Sequence, residues 1–282
     1  MKWEVIGISR GSKYSPNMVS SDARILNAVA ESLNRMGCEV KIYDEADYVN
    51  NRITGKFVFG MARDEATLQY LKSQEQQGTV VVNSAYGIDN CNRANLTKLL
   101  MKHQVKHPQS WMVATSEPAP QVTLPCWVKR GDSCAVVKAD VSFATSMDEV
   151  NAILSDFNSR GIAQAVINEH LEGDLVKFYG VDGTDFFYWY YPEADSHSKF
   201  GLEAINGLAQ QFAFDASALQ GEANKAAQVL GVPIYGGDAV VAADGTFKII
   251  DFNDWPSFSR CWEEAAPKIA ACIYKVFFDL DK

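Results

Sequence analysis

The segment Pro233-Ile-Tyr-Gly-Gly-Asp238-Ala-Val-Val-Ala-Ala-Asp244-Gly245-Thr-Phe-Lys-Ile-Ile-Asp251-Phe-Asn253-Asp254-Trp255-Pro256 places two apolar runs on either side of Asp244-Gly245. An Asp-Gly pair in that setting predicts a β-hairpin with a two-residue loop. Such a loop fixes the register: opposed residues have numbers that sum to 489, so Asp238 faces Asp251, with Cβ atoms roughly 5 Å apart. Asn253, two positions further on, leaves the same face. Val240, Val241, Ile249, Ile250 and Phe252 make the strands apolar on both faces, which implies cover on both sides. Two carboxylates in such surroundings repel each other unless a cation joins them. Two carboxylates and an amide oxygen suit a hard ion such as Mg²⁺, with Mn²⁺ compatible with the same donors; the shell is completed by water and substrate phosphates. The plain alternative is a pair of aspartates at the solvated ends of an ordinary hairpin, and the rest of the chain weighs against it.

Outward from this hairpin, the 282 residues fit two or three domains or one large α/β unit, and 47% hydrophobic content is ample for real cores. A net charge of −9 disfavours a nucleic-acid or anionic-membrane partner. The six cysteines are scattered without a Cys-x-x-Cys pair. They read as reduced thiols of a cytoplasmic protein rather than a zinc site or disulfide framework. The N-terminal residues do not form a signal peptide, and no apolar run approaches a membrane span.

The first 82 residues alternate strand and helix. Strands are expected at residues 3–8, 39–43, 56–61 and 79–82, and helices at 21–36 and 64–77. Ile25, Val29 and Leu33 recur at helical spacing, and Gly37 and Gly78 supply stops. This pattern implies a small parallel sheet covered by helices. The loop Ser9–Asn17 lies where ligands bind in open α/β sheets. Its Arg10 and Lys13 could hold an acidic substrate, with a plain surface connection as the default. It matches neither a dinucleotide fingerprint nor a Walker A loop.

Beyond Asn83 the order is a helix closing near His103, a strand at 111–114, and a strand at 124–129 that ends in Lys129. A turn at 131–133 then returns the chain through 135–138. Ser146 and Glu149 open a helix, and a buried strand at 163–167 runs into Asn168-Glu169-His170-Leu171-Glu172-Gly173-Asp174. A strand bearing Lys177 follows, then the aromatic run 185–191, a polar loop at 192–202, a helix at 214–230, the hairpin, and a last helix at 263–278. An ammonium at the end of an apolar strand needs an anionic partner; Lys129 and Lys177 are both so placed, although a strand-end lysine can also reach to solvent.

In this order of pieces residues 83–260 resemble the ATP-grasp superfamily. The resemblance rests on the Asn83-Ser84 helix, the strand lysine, the acidic hinge, and "Gly-x-Asp" and "Asp-x-Asn" on a hairpin. It implies an α/β chain in three parts: a small pre-ATP-grasp domain at 1–82, a central subdomain at 83–165, and a C-terminal subdomain with the metal site at 166–282. It further implies ATP and Mg²⁺ as cofactors. Lys129 would touch the nucleotide phosphate and adenine. Asn168, Glu169, His170 and Leu171 would form the adenine hinge, with Glu169 or Asn168 accepting from the amino group. Asp174 falls near the ribose-binding acid, Lys177 faces the transferred phosphate, and Asp238, Asp251 and Asn253 match the metal ligands. Two positions depart from the pattern. The helix lysine of many members is missing after Arg93, leaving Lys98 one turn on as a substitute, and the second metal acid is Asp251 where most ligases have glutamate.

The superfamily's majority chemistry is carboxylate activation, in which ATP phosphorylates a carboxylate and an amine or thiol attacks the acyl phosphate. The first expectation is therefore a ligase acting on a small molecule or peptide. Trp255, Ser257, Ser259 and Arg260 would line its acceptor pocket, Arg260 as a carboxylate clamp or else as a plain surface residue. The alternative is a kinase of a hydroxyl. The family's inositol trisphosphate 5/6-kinases also carry aspartate at the second acid, and His170, Gly173 and Lys177 echo their hinge. The few basic residues disfavour a strongly anionic substrate. A nucleotide binder without turnover has little need of three metal ligands. A homodimer is compatible with the chain, and the aromatic strand 186–191 reads as core, an oligomer contact or a pocket wall.

Overall fold

The computed structural model describes residues 2–15, 17–132, 137–192 and 209–278. Three four-stranded sheets organise them.

The first sheet is parallel, in the order β2-β1-β3-β4, built from β1 (Trp3–Ile8), β2 (Cys38–Tyr43), β3 (Phe57–Gly60) and β4 (Val80–Val82). Helix α1 (Val19–Arg35) buries the Ile25, Val29 and Leu33 stripe against it. A short helix α2 (Glu45–Asn50), which the sequence reading passed over, starts where the Asp44 side chain accepts from Asp47 N at 2.7 Å. Helix α3 (Glu65–Glu75) starts in the same way on Asp64.

The expected single helix after Asn83 is two, α4 (Ala85–Asn90) and α5 (Arg93–Lys102), because the chain turns extended at Asn92. The second sheet is antiparallel, in the order β5-β8-β6-β7: β5 (Ser110–Ala114), β6 (Cys126–Arg130), β7 (Val141–Ala144) and β8 (Gln164–Glu169). The return strand against β6 is thus Val141–Ala144, later than the 135–138 expected, of which 135 and 136 lie outside the described residues. Helix α6 (Met147–Ser159) packs Val150, Leu154 and Phe157 on Cys126 and Val128. The expected boundary between 165 and 166 falls inside β8, which belongs wholly to this sheet.

The third sheet is antiparallel, in the order β10-β9-β11-β12, with β9 (Asp174–Val181), β10 (Phe187–Tyr190), β11 (Ile234–Val241) and β12 (Phe247–Asp254). Helix α7 (Ala216–Leu230) covers one face, its Leu219, Ala223 and Leu230 sharing a core with Phe178, Tyr235 and Phe252. The last helix, α8 (Trp262–Phe278), returns to the first sheet, where Ile269, Ile273 and Phe277 join Val5, Val29, Phe57 and Phe59. Buried Asn83 ties first to third sheet by a two-way bond to Ile234, Nδ2 donating to its carbonyl at 2.7 Å and Oδ1 accepting from its N–H at 3.1 Å.

Most of the sequence-predicted polar loop at 192–202 lies outside the described residues. Among the described residues Cys38, Cys126, Cys261 and Cys272 are free thiols, and no helix is long and apolar enough to cross a membrane.

Candidate functional site

The hairpin delivers the acids to the same place by a different route from the one expected. Ala242 N donates to Thr246 O at 2.8 Å, so the loop is Ala243-Asp244-Gly245, three residues and not two, with Gly245 at φ +82°. The strands leave that loop paired as Val241 with Phe247 and Ala239 with Ile249, one step off the expected register. A bulge between Asp238 and Ala239, with Ile250 as the extra residue, restores it, and Asp238 pairs with Asp251.

Cross-strand pairing extends this pair into a row. Tyr190 opposes Lys177, Lys177 opposes Asp238, and Asp238 opposes Asp251. A second row two residues along is Tyr188, Tyr179, Gly236 and Asn253. Directly opposed side chains share a face. The opposite face holds Val176, Phe178 and Phe252 in the α7 core, so both rows look away from α7. Lys177 Nζ stands 3.2 Å from each oxygen of Asp238. Asp251, Asp238 and Asn253 supply two carboxylates and an amide oxygen from adjacent strands, a donor set that fits Mg²⁺. No group of three or more His, Cys, Asp or Glu side chains is placed to hold a metal among the described residues.

The second sheet faces this row. Cys126 and Val128 point into the α6 core, so Trp127 and Lys129, which alternate with them on β6, point the other way. The Lys129 ammonium sits in the field of Asp251, Asp238 and Arg93. Burial, and then Arg93, push it down to about 8, against the pull of the two aspartates. No hydrogen bond or ion pair engages Lys129 among the described residues. Arg93, at the first position of α5, also donates to Arg130 O at 3.0 Å. The resemblance implies a helix lysine here, and this arginine is the α5 cation that acts on Lys129. Lys98 is exposed five residues further along α5, well round the helix, and nothing ties it to the row among the described residues.

The hinge forms the far wall. Glu169 accepts from Gln109 N at 2.8 Å and pairs with Lys248 of β12, which joins the second and third sheets. Burial alone would raise its carboxyl, yet Lys248, the Gln109 N–H and His107 hold it below its ordinary value. Its side chain is therefore committed, and its own N–H donates to Gln109 O at 2.9 Å. Buried Asn168 donates to Ser110 Oγ at 2.7 Å. Burial holds the His170 imidazole below its ordinary value, and Nδ1 accepts from Trp127 Nε1 at 3.1 Å, which in the neutral ring puts the proton on Nε2. Trp127, Phe143 and His170 make an aromatic surface beside Lys129, with Trp127 and Phe143 centroids 5.0 Å apart. Leu171 follows half-buried. Asp174 is buried with both oxygens taken, by Gln210 N at 2.8 Å and Phe212 N at 2.9 Å. It anchors residues 210–212, and a ribose contact would have to compete with those bonds.

At the other end the chain after β12 crosses the second row. Pro256 lies over Gly236, where a Cβ would meet its ring at 2.7 Å. Phe258 packs on Tyr179 at 5.3 Å, and the Arg260 guanidinium lies 4.3 Å over the Tyr190 ring. Ser257 and Ser259 are half-buried in this crossing, and Trp255 is fully buried in the first core, not open to a pocket. The aromatic strand divides by face. Phe187 stacks on Phe178 of the core, while Tyr188 and Tyr190 stand beside Lys177. In the loop after β1 the two expected cations are paired within the protein. Arg10 is buried and donates to Trp255 O at 2.6 Å, and Lys13 pairs with Asp64 at 2.7 Å.

No family model matches the sequence, and no curated protein matches it. Solved structures do match. D-alanine–D-alanine ligase from Bacillus anthracis complexed with ATP is 14% identical with a TM-score of 0.69, over 99% of this chain and 98% of that one. VanG D-Ala:D-Ser ligase from Enterococcus faecalis is 12% identical with a TM-score of 0.66, over 98% and 100%. The ATP-grasp ligase PsnB complexed with minimal precursor is 14% identical with a TM-score of 0.60, over 98% and 100%. At such identities the likeness is one of fold.

Proposed function

On a chain that has the ATP-grasp fold from end to end, we propose an ATP- and Mg²⁺-dependent ligase that activates a small-molecule or peptide carboxylate as its acyl phosphate for attack by an amine or thiol. The observation that carries this reading is the row Lys177–Asp238–Asp251 facing Lys129 and Arg93 across two sheets. Three cations and two carboxylates meet where a polyphosphate and a divalent ion would have to meet.

Trp127, Phe143 and the hinge would take the base, and Lys129 and Arg93 the phosphates. Asp238, Asp251 and Asn253 would hold Mg²⁺, which when bound neutralises charge on the phosphates. Lys177 stands beside Asp238 and would orient the transferred phosphoryl group, with Arg260 holding the substrate carboxylate over Tyr190. The chain contributes no nucleophile of its own in this scheme: it positions, screens charge and excludes water. Similar structures spanning the whole chain are named ligases, which supports this over phosphorylation of a hydroxyl.

The test is turnover of Mg·ATP against a panel of carboxylic acids, amines and polyols, reading free phosphate and phosphorylated product separately. Phosphate release that requires both an acid and an amine or thiol is the expected outcome. A stable phosphorylated alcohol would make the chain a kinase instead.

A further inference from the structure

Asn253 lies one residue from the end of β12, and that end is fixed from the first domain. β12 stops at Asp254, 1% exposed. Arg63, in the loop after β3, pairs through Nη2 with Asp254 Oδ1 at 2.5 Å and donates to the Asp254 carbonyl at 3.2 Å. Arg10, in the loop after β1, donates to the next carbonyl, that of Trp255, at 2.6 Å. Its other nitrogens reach Asp22 Oδ2 and Met61 O, both at 3.3 Å. Glu45 braces both loops, accepting from Gly11 N at 2.7 Å, Arg63 N at 2.9 Å and Asp64 N at 2.5 Å.

This is a costly arrangement for plain packing. Arg10 and Arg63 repel each other in a buried setting, and replacing buried ion pairs with apolar residues is often neutral or stabilising. What two guanidinium groups on successive carbonyls supply is backbone direction. Trp255 is held at φ +26°, a conformation unfavourable for a bulky residue that persists only when its surroundings over-determine it. Its ring also stacks on Phe59 of β3, with centroids 6.0 Å apart.

We propose that Arg63 and Arg10 are positioning residues for the metal site, fixing the end of β12 so that the Asn253 amide joins Asp238 and Asp251. The proposal rests on the reading of those three as metal ligands. Asp251 lies three residues further in, paired with Asp238 and next to core-bound Phe252, so it holds its place without the clamp. Loss of the clamp should therefore resemble loss of Asn253, not loss of Asp251.

The experiment is calorimetric titration of the full chain with ATP, with and without Mg²⁺, alongside thermal melts. The variants are Arg63→Lys, Arg10→Lys, Asn253→Ala and the double variant Arg63→Lys with Asn253→Ala. Lysine keeps each buried charge and removes the guanidinium, and the melts show whether the fold is kept. In the wild type Mg²⁺ should tighten ATP binding. Arg63→Lys should cut that gain by about 10- to 100-fold, the usual effect of removing a group that orients a ligand, while metal-free affinity stays within about twofold. Arg10→Lys should act in the same direction, and the double variant should be no worse than Asn253→Ala alone. Equal losses with and without metal, or additive losses in the double variant, would overturn the clamp and leave the metal site standing. A wild type with no metal-dependent gain would overturn the metal assignment and the clamp together.

Discussion

Lys129→Met should make the ligand-free protein more stable and its nucleotide binding weaker, two effects of opposite sign from one side chain. The fall of the ammonium from 10.5 to about 8 corresponds to about 3 kcal/mol against the charged form, at about 1.4 kcal/mol per pH unit. Lys129 keeps part of its surface in water, so roughly half of that, ~1–2 kcal/mol, is a fair share for the folded state. For a chain of this size it converts to a rise in Tm of about 2–6 °C. The sign in pH follows from proton uptake. Between about 8 and 10.5 the unfolded chain holds the lysine proton and the folded chain has lost it, so ligand-free stability rises with pH across that window and is flat below it. Lys129→Met should lack that rise. ATP binding runs the other way: a charge-assisted hydrogen bond to phosphate is worth about 1.5–3 kcal/mol, so Kd should increase about 10- to 150-fold. Wild-type affinity should also fall above about pH 8 as the ammonium is lost. Thermal melts with and without ATP over pH 6–10 (roughly the span on either side of that titration), with calorimetric titration at neutral pH, read both effects. A lower Tm with unchanged ATP affinity would show that Lys129 packs the sheet and does not bind phosphate.

Asp251→Ala should abolish turnover, by about a thousandfold or more given several kcal/mol of metal-borne charge stabilisation, with the circular dichroism of the folded chain retained; undiminished turnover would remove Asp251 from the metal site. Trp127→Ala should weaken metal-free ATP binding by the ~1–3 kcal/mol typical of a base on an aromatic ring, and ATP should change tryptophan fluorescence in the wild type more than in the variant. Unchanged affinity would place the base away from the surface of Trp127, Phe143 and His170.

The acid pair is legible in the sequence, but the loop length that sets its register is not. Asp-Gly pointed to a hairpin and to Asp238 facing Asp251, and both are present. Yet the loop holds one residue more than the two expected. Carried straight through, that loop would have opposed Asp238 to Ile250 and turned Asp251 to the α7 side. Ile250, bulged out, undoes the slip, and no local signal marks a bulge in an apolar run. Arg93 was visible but discounted because a lysine was sought, when helical phase alone separates it from Lys98. Arg10 and Arg63 were beyond reach. Their partners lie 245 and 191 residues away, and periodicity within a segment says nothing about contacts at that separation.

The charges of the row also argue about order of binding. Lys177 stands 3.2 Å from each oxygen of Asp238, which pairs with Asp251, and Lys129 lies in the field of both aspartates from the facing sheet. With Arg93, these five groups carry a single net positive charge when all are ionised. In the proposed ligase a triphosphate would draw the two lysines toward itself and leave the aspartates facing each other and the phosphates, a concentration of negative charge that the ligand-free arrangement does not have. A divalent ion between them removes most of it. ATP and metal are therefore expected to bind with positive coupling, each weak without the other. In the proposed ligase the lysine–aspartate contact of the ligand-free row is then expected to give way as the ion binds.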